Sequence, residues 1–101
     1  MPVPKTREEA LAAVSKEIRS EQAHALGRSG HKLEGFIAEL KELEGALAGA
    51  VDRTPLLAAH AHARKQAELY KWYLVVQREA MGLRQHRELD LYFPIPGAIR
   101  E

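Results

Sequence analysis

The chain has 101 residues, 46% hydrophobic and 29% charged, with 15 basic and 14 acidic side chains and a net charge of +1. That is the composition of one globular domain, neither disordered nor membrane-embedded, and short enough to be only marginally stable alone. The absence of cysteine excludes a disulfide scaffold, thiolate metal sites and thiol catalysis.

The chain lacks Asn and has only two Asp, against sixteen Ala and twelve Glu. Helix formers dominate and turn formers are scarce, so an all-α fold is expected. Met1-Pro2-Val3-Pro4-Lys5 does not have the pattern of a signal peptide. The longest apolar-leaning run, Leu69 to Val76, is interrupted by Lys71 and falls short of the ~18–20 residues of a membrane span. The expectation is a cytoplasmic protein with no membrane partner.

Proline occurs only at 2, 4, 55, 94 and 96. The chain therefore divides into an N-terminal tail 1–5, a first helical arm 6–51, a second helical arm 54–91 and an extended apolar tail 92–101, all in one domain. Thr6-Arg7-Glu8-Glu9 has the spacing of a capping box. Thr54-Pro55 suggests a second start, with Thr54 as N-cap and Pro55 at the first helical position. Val51-Asp52-Arg53 makes the turn between the arms.

In the first arm Leu11, Val14, Ile18, Gln22, Ala25, Ser29, Leu33, Phe36, Leu40, Leu43 and Leu47 follow one another at steps of three or four. One helical face thus persists throughout. Gly27 and Gly30 interrupt this arm. If they are interior, the arm is one helix of about 45 residues, roughly 65–70 Å long; if they are punctuation, the fold is a three-helix bundle with a break there. The unbroken phase favours the single helix.

The second arm carries Leu56, His60, Ala63, Ala67, Tyr70, Leu74, Gln77 and Met81 on one face. Leu69, Trp72, Tyr73, Val76, Ala80 and Leu83 form a second apolar stripe roughly opposite. Two apolar faces need two partners, and a hairpin covers only one. The expected architecture is a long antiparallel helical hairpin completed by self-association into a four-helix bundle. Its association surface comprises Leu69, Trp72, Tyr73, Val76 and Leu83, with Phe93 and Ile95 from the tail. After Gly82 the pattern turns charged, so the helix is expected to end or bend before the tail.

Chemistry finds little support. Glu21-x-x-His24 has di-iron spacing, but one copy is an incomplete site. His60 and His62 lie ~200° apart on a helix, too divergent for one metal; His60 belongs to the core stripe. No nucleophile elbow or phosphate loop occurs. No enzyme, cofactor or resident metal is expected.

Arg64, Lys71 and Arg78 recur every seven residues, and with Arg84 and Arg87 they form a basic stripe for phosphate or partner contacts. Gly35, Ala38, Gly45, Ala46 and Gly49 share a small-residue face. The tail's prolines keep Tyr92 to Ile99 extended, and its apolar side chains should dock, on Leu69, Trp72, Val76 and Leu83 of the same or a neighbouring subunit.

In outline the chain is similar to the secreted two-helix proteins that carry Trp-x-Gly in their central turn. Here that turn is Val51-Asp52-Arg53-Thr54-Pro55 and Trp72 lies far outside it, so no residue is carried over. The expected function is that of a non-enzymatic scaffold or adaptor working through protein–protein contact as a homo-oligomer, most simply a dimer, with a further protein partner. The alternatives are a nucleic-acid-binding accessory protein and, after it, a metal-binding bundle. Salt dependence separates the first two, since phosphate binding weakens steeply with salt.

Overall fold

The computed structural model describes residues 6–100. The expected N-terminal tail 1–5 and Glu101 lie outside them. Three helices follow in order: α1 (Arg7–Gly49), α2 (Thr54–Ala80) and α3 (Arg87–Tyr92). The described residues contain no strand. The first two helices form an antiparallel hairpin with extents of 69 × 28 × 16 Å.

The α1 helix starts where the capping signal placed it. Thr6 is extended at φ −125°, ψ 160°, and its hydroxyl accepts the Glu9 N–H at 3.1 Å. Glu8 and Glu9 occupy the first turn, where negative charge complements the helix dipole. The helix then runs unbroken for 43 residues. The three-helix alternative with a break at Gly27 and Gly30 is thereby excluded. Both glycines stay helical because Ser29 and Leu33 beside them are buried in the hairpin. Tertiary packing outweighs the ~1 kcal/mol that each glycine costs.

The turn uses different chemistry from that expected. Thr54 is the first residue of α2 rather than its cap. Asp52 instead accepts the Thr54 N–H at 3.1 Å, and the Arg53 guanidinium donates to the Leu47 carbonyl at 2.8 Å. A carboxylate two residues back thus satisfies the free N–H of the first helical residue.

Within the second arm 54–91 the helix ends close to Gly82, where the charged pattern begins. Helix α2 stops at Ala80, because Gly82 adopts φ +88° and closes a Schellman motif. In it the Leu83 N–H donates to the Arg78 carbonyl at 2.9 Å and the Gly82 N–H to the Glu79 carbonyl at 3.0 Å. The chain reverses there, forms α3, and continues without regular secondary structure from Phe93 to Arg100. Tyr92, expected to open the extended tail, is the last residue of α3.

Leu33, Ile37 and Leu40 from α1 form the core with Ala63, Ala67 and Leu74 from α2 and Leu89 from α3. Leu33, Leu40, Ala63 and Ala67 are fully buried. Leucines of one helix thus meet alanines of the other, which brings the two backbones close. Leu26, Phe36, Leu43, Tyr70, Val75, Phe93 and Ile95 pack around this cluster. The small-residue face from Gly35 to Gly49 meets nothing in the hairpin: Gly35, Ala38, Gly45, Ala46 and Gly49 are all exposed.

Candidate functional site

The C-terminal segment docks on its own hairpin, by way of the heptad-spaced basic line. Arg78 donates to the Gln85 carbonyl at 3.0 Å, Lys71 to the Phe93 carbonyl at 3.2 Å, and Arg64 to the Pro96 carbonyl at 2.8 Å. The segment therefore runs antiparallel to α2 along one edge. Pro94 and Pro96 have no N–H to offer, so carbonyls are the handles such a stretch presents, and cationic donors match them. Lys71 also pairs with Asp90 at 2.8 Å, and Arg64 with Glu68 at 2.8 Å. Lys71 holds the Asp90 carboxyl below its ordinary value, first by the hydrogen bond and then by its charge.

The receiving surface differs from the one expected. Phe93 and Ile95 pack against the core cluster formed by both long helices, not on the outer stripe of α2. The Phe93 ring lies by Gly30, 4.0 Å from where a Cβ would sit. The cationic donors decide this placement, since they line a different edge of α2 from Trp72 and Val76. Of the five basic residues considered for phosphate contact, Arg64 and Lys71 are thus engaged by the tail and Arg78 by the turn before α3. The other two, Arg84 and Arg87, are exposed beside Gly82 and Glu88.

Two apolar surfaces stay open after the tail has docked. The first is the outer stripe of α2, where Leu69, Trp72, Tyr73 and Val76 are all exposed, Trp72 at 59%, with exposed Leu83 just past its end. It is continuous with the core through aromatic contacts. Phe36 stacks on Tyr70 at 5.7 Å, Tyr70 meets the edge of Tyr73 at 5.5 Å, and Tyr73 lies 5.6 Å from Trp72. Lys32 sits 5.4 Å over the Tyr70 ring. Rigid aromatics held in this way meet a partner at little entropic cost.

The second surface is the early part of the α1 stripe, which the sequence pattern runs on without a break into the core-forming part. Leu11, Val14 and Ile18 are 59%, 52% and 51% exposed. Helix α1 is 43 residues and α2 only 27, so the first turns of α1 extend past the end of α2. Every residue from Leu11 to Glu21 is exposed. The unequal lengths of the two helical stretches, given an end near Gly82, were the available signal.

The histidine and carboxylate candidates do not converge. His60 is 2% exposed, with its Nε2 3.5 Å from the Glu44 carboxylate, whereas His62 is exposed. Glu21 and His24 are both exposed on α1. Among the described residues no group of three or more His, Asp or Glu side chains is placed to hold a metal ion. No helix among them is long and apolar enough to cross a membrane. No family model, characterised protein or solved structure matches the chain.

Proposed function

We propose that this protein is a non-enzymatic helical scaffold or adaptor that works through protein–protein contact as a homo-oligomer. The outer stripe of α2 meets the same stripe of a second hairpin, so that two hairpins complete a four-helix bundle. What supports this reading is the cluster of Leu69, Trp72, Tyr73 and Val76, exposed on a rigid helix whose other face is already spent on α1, with exposed Leu83 just past its end. Apolar residues grouped in this way mark association surfaces, with tryptophan the most productive anchor. The nucleic-acid alternative loses ground because Arg64, Lys71 and Arg78 donate to backbone carbonyls of the returning chain.

Sedimentation equilibrium of the wild type and of Trp72→Glu tests the proposal. The wild type is expected to associate at micromolar concentration, insensitive to added salt, and the variant to lose the contact while keeping its helical circular dichroism. A wild type that stays monomeric throughout overturns it.

A further inference from the structure

The free end of α1 has a stricter pattern than an apolar patch. Arg7, Leu11, Val14, Ile18 and Glu21 follow at steps of four, three, four and three, so all five lie within an arc of about 80° on one face. A cation begins the stripe, an anion ends it, and three apolar side chains lie between. Neither Arg7 nor Glu21 makes an ion pair among the described residues.

We infer that this end of α1 pairs antiparallel with the same segment of a second copy, around a two-fold axis near Val14. Leu11 then faces the partner's Ile18, and Arg7 faces the partner's Glu21, because Arg7 and Glu21 lie seven residues on either side of Val14. A parallel arrangement puts Arg7 against Arg7 and Glu21 against Glu21, which is repulsive at both ends. Antiparallel helix dipoles favour the same choice.

The lengths fit as well. Arg78, near the end of α2, lines a groove with Ala23 and Leu26 of α1. Helix α2 therefore gives out just beyond Glu21, and a partner helix lying over Leu11 to Ile18 abuts its end without overlapping it. Each copy's free end continues the row that the other's α2 leaves unfinished. Such a contact is smaller than the ~800 Å² per partner of a standard interface, so the association is weak and charge pairing sets its register.

The inference stands on different residues from the α2 stripe and yields a second self-complementary contact. Two such contacts on one chain link copies beyond a pair. The test is sedimentation equilibrium of the full chain at low salt in the Trp72→Glu background, where the α2 contact is absent. That variant is expected to form dimers. Adding Arg7→Glu or Glu21→Arg alone should raise their dissociation constant about tenfold. Combining the two reversals should restore it, since opposite charges again face each other. Fluorescence transfer between labels at residue 6 of one copy and residue 22 of another should report close approach. A monomeric Trp72→Glu protein overturns the overhang contact while leaving the α2 contact intact. Charge reversals without effect, or without mutual rescue, overturn the register.

Discussion

The body of the hairpin and the free end of α1 carry the same kind of apolar stripe and meet opposite fates. From Ser29 to Leu47 the stripe is covered by α2 and the tail, and Leu33 and Leu40 have no exposed surface. From Leu11 to Ile18 an equally regular stripe is more than half exposed. Periodicity determines which way side chains point along a helix, but a face is buried only where another element reaches it. Here α2 is sixteen residues shorter than α1 (43 less 27), and the free end is what remains.

The sharpest way to break this contrast is truncation at matched leucines. Leu40→Ala should destabilise by about 2–5 kcal/mol in urea titrations, because the cavity lies in a closed core. Leu11→Ala at a concentration where the protein is monomeric should change stability by less than ~0.5 kcal/mol. Equal losses would mean that the free end is packed in the monomer.

Glycines give the next largest effect. Gly82 at φ +88° ends α2, so Gly82→Ala should cost about 1–2 kcal/mol and loosen the return of the tail. Gly27 is helical with open space where a Cβ would stand, so Gly27→Ala should stabilise by up to ~1 kcal/mol. Opposite shifts in thermal melting support one continuous α1. A loss at Gly27 would restore the broken-helix alternative.

The smallest effect concerns acid. Folding lowers the Asp90 pKa through Lys71, so their pairing contributes fully above the ordinary carboxylate value of 3.8 and is lost as pH falls through the lower folded value. The protection of the Phe93 amide, its exchange rate relative to the intrinsic one at the same pH, should therefore fall below pH 3.8. Asp90→Asn should remove that dependence, and an unchanged profile would show that the pair does not help to hold the tail.

Of the candidate surfaces, the α2 stripe was legible because Leu69, Trp72, Tyr73 and Val76 crowd one short stretch of a helix already apolar on its other side. The docking of the tail was legible in part, since Phe93 and Ile95 between prolines demand cover. Where it docks was not, because the Arg64, Lys71 and Arg78 line reads equally well as a stripe for phosphates. Only the position of the returning chain shows it to be a row of side chains that donate to backbone carbonyls.

Local rules sufficed for the helical class, the Thr6 start and the His60 side of the core. Each depends on residues within a turn or two of one another, where backbone hydrogen bonding and side-chain spacing act directly. The continuity of α1 through Gly27 and Gly30, the edge along which Phe93 and Ile95 return, and the exposure of Leu11, Val14 and Ile18 were decided in three dimensions. They depend on where α2 stops and which edge the chain returns along. Those positions follow from the balance of burial and chain reversal over the whole hairpin, a sum of distant contacts that no single stretch of the sequence contains.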